Sequence, residues 1–180
     1  MVGDFLKRSE TRMKIVRTLA TMLKEQPLKD ISVSDIIELA NISRGTFYYH
    51  FNSKEDLVIS IINTALNKIT DILSQDLDFG QPILTEVLEY IYENKAIAGV
   101  LLDHLPNVNQ ITEKYISDTI KKSNIVDLEK QLVEGYQIPV HYAFNLYILT
   151  IKSIIFEWIR SDFQEAPAEL ADIIHRAVRI

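Results

Sequence analysis

Arg44, Thr46, Tyr48, Tyr49 and His50 crowd into one short stretch, and Lys54 follows about a turn later. These side chains can bind a ligand without making or breaking a covalent bond. A guanidinium takes guanine edges or phosphate, and a threonine offers its hydroxyl to phosphate or its methyl to thymine. Tyrosine hydroxyls and an imidazole donate to phosphate. Gly45, set among them, is a poor helix former, and its use there is to let backbone come close to another surface. Lys54 falls in the first turn of a helix that Ser53 can cap. Free amides, the helix dipole and an ammonium together make an anion site.

The elements that must hold these groups are legible in Ser32 to Lys54, SVSDIIELANISRGTFYYHFNSK. Ser32 and Asp35 are spaced as a capping box. Val33, Ile36, Ile37 and Ala40 then form an apolar face at helical spacing. Asn41 tolerates the left-handed backbone needed to turn a corner. Ser43 can cap a second helix by taking the amide of Thr46. Phe47 and Phe51, four apart, anchor that helix in a core and leave its polar residues on other faces. Two short helices joined by such a turn match the helix-turn-helix motif, whose second helix enters the DNA major groove. The bland alternative is a plain helical pair inside an all-α core. Agreement of caps, turn, anchors and exposed polar residues over one segment favours DNA.

SRGTFYYHFNSKEDL closely resembles the signature of the TetR family of bacterial transcriptional regulators, and the likeness extends from about Lys14 to Leu66. The resemblance implies an all-α homodimer. Its N-terminal three-helix helix-turn-helix unit would bind operator DNA, and its C-terminal helical bundle would dimerise and often bind a small effector. It places DNA contacts at Ser34, Arg44, Gly45, Thr46, Tyr48, Tyr49, His50 and Lys54. Asn41 stands where family members commonly carry glycine, and asparagine suits the same backbone.

Composition sets limits on the rest. The 180 residues suffice to bury a sizeable core. The chain has no cysteine, so disulfides and thiolate zinc sites are excluded, which accords with a reducing cytoplasm. Neither a signal peptide nor an uninterrupted apolar run of membrane-spanning length is visible. A net charge of -6 looks wrong for a DNA binder. The acid is segregated, however. Residues 1–60 carry nine Lys and Arg against eight Asp and Glu, while residues 61–180 carry ten against seventeen. A local positive field is expected from Lys7, Arg8, Arg12, Lys14, Arg17, Arg44 and Lys54.

In chain order, residues 1–8 read as a frayed arm. A first helix is expected from about Ser9 to Glu25, closed by Pro27. The helix from Lys54 carries two apolar stripes as far as Leu73, as a connecting rod would. That places a DNA-binding domain at 1–53 and an effector-binding and dimerisation domain at 54–180. SQDLDFGQP is a loop, in which Asp76 and Asp78 read as solvated. Helical patterns follow over Pro82 to Asn94, Ala96 to Leu105, and Asn109 to Val133 with a break near Ser123. Val140 to Arg160 and a last helix opened by Pro167 complete the chain.

Those last two helices show more apolar surface than one small domain easily covers, which suggests a four-helix interface between two copies. Ile151, Ile155, Trp158, Ile159, Leu170, Ile174 and Ala177 are its candidates. Tyr92, His104, Tyr115, His141, Phe144 and Tyr147 are candidates for an effector pocket, and ordinary core or interface is the competing reading. His104, His141 and His175 lack metal-ligand spacing, and no nucleophile elbow, P-loop or dinucleotide fingerprint appears. No catalytic residue, metal or cofactor is expected, and the partners are double-stranded DNA, a second copy and a small effector, with no membrane. The expected function is a sequence-specific regulator, a repressor on a palindromic operator. The rivals are an effector-less DNA binder working through protein partners and a small helical enzyme.

Overall fold

The computed structural model describes the backbone of residues 2–23, 25–105 and 107–178, and the side chains of those spans except residues 2–9, 96 and 104. Among the described residues the regular structure is helical throughout. Residues 1–65 and 66–180 form two compact units, so the division falls inside a helix rather than ahead of it.

The first unit holds α1 (Val2–Met22), a 3₁₀ turn (Leu28–Asp30), α2 (Val33–Leu39), α3 (Arg44–His50) and the start of α4 (Lys54–Leu73). The first helix begins at Val2, well before Ser9, so residues 2–8 are not an arm. Only Gly3 disfavours helix there, and Asp4 complements the N-terminal dipole. The helix also stops earlier than expected, at Met22. Ile15, Leu19, Ile36, Phe47 and Leu57 are wholly buried, each from a stripe spaced for one helix face. The first turns of α4 belong to this unit for a physical reason. Leu57 and Val58 are buried, and the Arg12 guanidinium donates to the Ser60 hydroxyl.

The second unit contains the rest of α4, then α5 (Gln81–Glu93), α6 (Lys95–His104), α7 (Val108–Ile120), α8 (Leu128–Tyr136), α9 (Val140–Arg160) and α10 (Pro167–Ala177). The break expected near Ser123 separates α7 from α8. Asp76 is more than a solvated loop acid, because its carboxylate accepts the amides of Asp78 at 3.0 Å and Gly80 at 3.4 Å. Two apolar clusters form the core. Ile72, Val87, Leu132, Ala143, Tyr147 and Ile148 belong to one. Leu88, Trp158, Phe163, Leu170 and Ile174 belong to the other. The α9 helix runs through both, which explains its several apolar faces. By length and composition α9 would also suit a bilayer. Here it buries Ala143, Tyr147, Ile148, Phe156 and Trp158 against its own chain.

That core corrects part of the expected interface. Trp158, Leu170 and Ile174 are only 1%, 2% and 4% exposed within the single chain, so they are interior rather than intermolecular. The cause lies at the end of α9. Asp162 turns left-handed at φ 58°. The Phe163 amide then reaches the Trp158 carbonyl at 2.8 Å, and the Asp162 amide reaches Ile159 at 3.2 Å. This is a Schellman closure, which brings the residue after the turn against the last helical turn. Phe163 packs edge-on to Trp158 at 4.7 Å, and the indole donates to the Glu165 carbonyl at 2.9 Å. Ile151, Ile155 and Ile159 keep partial exposure and Ala177 is exposed.

Candidate nucleic-acid interface

The frame of the site is built from local hydrogen bonds. The Ser32 hydroxyl accepts the Asp35 amide at 3.1 Å, and the Asp35 carboxylate accepts the Ser32 amide at 2.7 Å. Donation from the Ser32 amide, and after it the Ser32 side chain, favour the charged carboxylate and hold its pKa below the usual value, although the group is fully exposed. Asn41 takes φ 47°. The Ile42 amide then reaches Ile37 at 3.2 Å and the Asn41 amide reaches Glu38 at 3.0 Å, so α2 too ends in a Schellman turn. Ser43 accepts the Thr46 amide at 3.0 Å and starts α3.

The faces of α3 divide cleanly. Phe47 and the following Phe51 are buried, with ring centroids 6.1 Å apart. Arg44 and Gly45 are exposed, and Tyr48 and Tyr49 are 45% and 63% exposed. The Arg44 guanidinium lies 5.8 Å from the Tyr48 ring, and Tyr48 meets Phe47 edge-on at 5.4 Å. These contacts orient the two polar tips without consuming their hydrogen bonds. Thr46 is half-buried and shares a 2.7 Å hydrogen bond with the Ser43 hydroxyl. His50 is half-buried, with its ring 5.2 Å from that of Tyr49. A Cβ on Gly45 would meet nothing nearer than the Ser43 hydroxyl at 3.8 Å. Packing inside the chain therefore does not demand glycine, and the bare backbone faces outward.

Two open clefts gather the expected residues. Ser34 on α2 and Arg44 on α3 line one, with Ile37, Glu38 and Asn41. Tyr48 and Lys54 line the other, with Ser32, Val33 and Ser53. Glu38 beside Arg44 was missed from sequence, although its spacing of four from Ser34 was the available signal.

Lys54 needs a correction. Its ammonium donates to the carbonyls of Leu28 and Ile31 at 2.7 Å each, and to Lys29 at 3.4 Å. It staples the 3₁₀ turn rather than waiting for an anion. The start of α4 is likewise occupied by the protein itself. Ser53 accepts the Asp56 amide at 3.1 Å, and the Asp56 carboxylate takes the Asn52 amide at 2.8 Å. Arg12 is also engaged, on Ser60 and over the Phe51 ring at 5.4 Å. Lys14 and Arg17 are exposed, and Lys7 and Arg8 lie among the undescribed side chains.

The five described candidates for the effector pocket do not converge. Tyr92 stacks on Trp158 at 6.3 Å in the second cluster. Phe144 and Tyr147 pack with the first. The Tyr115 hydroxyl bonds Thr70 at 2.9 Å and the Leu66 carbonyl at 3.2 Å, pinning α7 to α4. His141 is exposed beside Tyr142, and the side chain of His104 lies outside the described residues. Among the described residues no group of His, Asp and Glu could hold a metal.

Comparison with known proteins follows the same division of the chain. Residues 15–61 match the family model described as "Bacterial regulatory proteins, tetR family". Residues 80–179 match a "Transcriptional regulator C-terminal region". The HTH-type transcriptional regulator EthR of Mycobacterium tuberculosis H37Rv is 37% identical over 59 residues, which are 33% of this chain and 27% of that protein. The chain thus spans about a quarter of the length of that relative. The nucleoid occlusion factor SlmA of Shewanella loihica is 27% identical over 172 residues, covering 88% of this chain and 87% of that protein. The solved structure of a dihydroxyacetone kinase operon activator, DhaS, superposes with a TM-score of 0.66 at 22% identity, covering 93% of each chain. At that identity the superposition speaks for the fold alone.

Proposed function

The chain belongs to the TetR family of bacterial regulators, and from that premise we propose a palindrome-binding repressor that works as a homodimer and is released by a small effector. Two copies insert α3 into successive major grooves, with half-site centres about 34 Å apart. Ser34, Arg44, Gly45, Thr46, Tyr48, Tyr49 and His50 meet the duplex. Lys54 contributes by holding the 3₁₀ turn in place and by its charge. The observation that carries this reading is the sorting of α3, with Phe47 buried while Arg44, Gly45, Tyr48 and Tyr49 face outward. The copies join through the last two helices, using Ile151, Ile155, Ile159 and Ala177. An effector acts by binding unequally to two dimer shapes, only one of which spaces the heads for DNA.

A second reading, an effector-less regulator working through protein partners, draws on the failure of the five described pocket candidates to converge. The sign of regulation is part of the proposal, since the relatives include an activator by name.

Selection of bound sequences from random DNA tests the assignment. The expected product is a palindrome whose half-sites are one helical turn apart. Arg44→Ala should cost about 1–3 kcal/mol on that site and relax preference at one position of each half-site. Recovery of no common sequence, or an unaltered preference in the variant, would overturn it.

A further inference from the structure

Glu38 is an acid on a surface otherwise fitted for phosphate. It lies in the last turn of α2 and is exposed. Its cleft is the one shared with Ser34, Ile37, Asn41 and Arg44. Two electrostatic effects oppose an acid there. The C-terminal end of a helix dipole disfavours negative charge, and a duplex brought against Ser34 and Arg44 sets phosphates near it. Ion pairing offsets neither effect. The ion pairs among the described residues lie elsewhere, and the Arg44 guanidinium lies over the Tyr48 ring at 5.8 Å. The turn after α2 uses Glu38 only through its backbone carbonyl, which takes the Asn41 amide at 3.0 Å. The local fold therefore does not account for the carboxylate.

A carboxylate can read a base edge, and one base suits it. It accepts hydrogen bonds and donates none, so it is repelled by edges that present acceptors. In the major groove guanine shows N7 and O6, thymine shows O4, and adenine sets N7 beside its amine. Cytosine offers its N4 amine alone. We propose that Glu38 is a specificity-determining residue, which selects cytosine by accepting a hydrogen bond from its N4 amine. Arg44 on α3 takes guanine from the other side of the same cleft, so one donor and one acceptor face the duplex together. The acid also weakens binding to every sequence that lacks the cytosine, and so trades affinity for discrimination. The proposal rests on the DNA-binding reading and deepens it.

The test repeats the selection from random DNA with the full chain as wild type, Glu38→Gln and Glu38→Ala. In wild type, one position of each half-site should favour cytosine about tenfold over any other base, the discrimination of one base contact. In Glu38→Gln that position should turn to adenine, whose N6 and N7 a carboxamide bonds together. In Glu38→Ala it should lose its preference, and affinity for duplexes of unrelated sequence should rise, most at low salt. Both variants should keep the wild-type helical circular dichroism, because the side chain is exposed. Loss of the guanine preference in both variants, with no gain of adenine, would make Glu38 a support for Arg44 and overturn the proposal. A wild-type palindrome that contains no cytosine altered by either variant would overturn it too, while leaving the DNA-binding reading intact. A wild type that selects no common sequence would sink that reading and this assignment with it.

Discussion

Lys54 shows how a residue expected to contact phosphate can be engaged within its own chain. A lysine in the first turn of a helix, close after a recognition helix, reads as a phosphate contact. Its ammonium instead spends its donors on three backbone carbonyls of the 3₁₀ turn. The Leu28 carbonyl also takes the Ile31 amide at 3.2 Å, but losing the ammonium removes a charged donor from all three. Lys54→Ala is expected to destabilise the N-terminal unit by about 1.5–3 kcal/mol, the range for hydrogen bonds to a charged group. The salt slope of DNA binding should change by less than the one unit that a direct phosphate contact contributes. Chemical denaturation and binding isotherms at several salt concentrations read these effects separately. A full unit of slope with unchanged stability would restore the phosphate role. Gly45 makes the converse point, because the open space around it shows that packing inside the chain does not require glycine there.

At the scale of elements, α2 is too short to persist by itself, since isolated helices of one or two turns are marginal in water. Its two ends hold it. The Ser32–Asp35 capping box satisfies amides at one end, and the left-handed Asn41 closes the other. The capping box also makes the element pH-dependent. Asp35 is held below the ordinary carboxylate pKa, first by the Ser32 amide and then by the Ser32 hydroxyl geometry. A depressed carboxylate contributes stability that is present above its unfolded pKa, about 3.9, and is lost as pH falls through the lower folded value. Thermal melts between pH 6 and pH 3 should therefore show an acid-side loss that is shallower in Asp35→Asn. Identical pH profiles for the two proteins would remove the carboxylate from the account. At the far end of the chain, the α9 terminus uses the same Schellman geometry for another purpose. There the turn folds Phe163 back onto Trp158 and closes the second core cluster.

For the whole molecule, the question is what the last two helices present to a second copy. Three of the seven residues expected at that surface are consumed by the chain's own core. The remaining surface is smaller and centres on Ile151, Ile155, Ile159 and Ala177. Ile159→Glu should place an unpaired charge in the proposed contact, at a position that also packs against the Trp158 cluster. The expected result is a shift from dimer to monomer in analytical ultracentrifugation at micromolar concentration, with loss of palindrome binding and retention of helical circular dichroism. A variant that stays dimeric would move the interface elsewhere on the chain.

From the sequence alone came the helical class, the caps of α2 and α3, the turn at Asn41, the buried pair Phe47 and Phe51, and the break between α7 and α8. All of these depend on neighbours a few residues apart, and such interactions are written in the order of the residues. The partner of the Lys54 ammonium and the interior position of Trp158, Leu170 and Ile174 could be settled only in three dimensions. Each depends on which distant segment arrives at a given apolar or polar face. An apolar residue on a helix records that it must be covered, and the folded chain decides whether its own residues or another molecule will cover it.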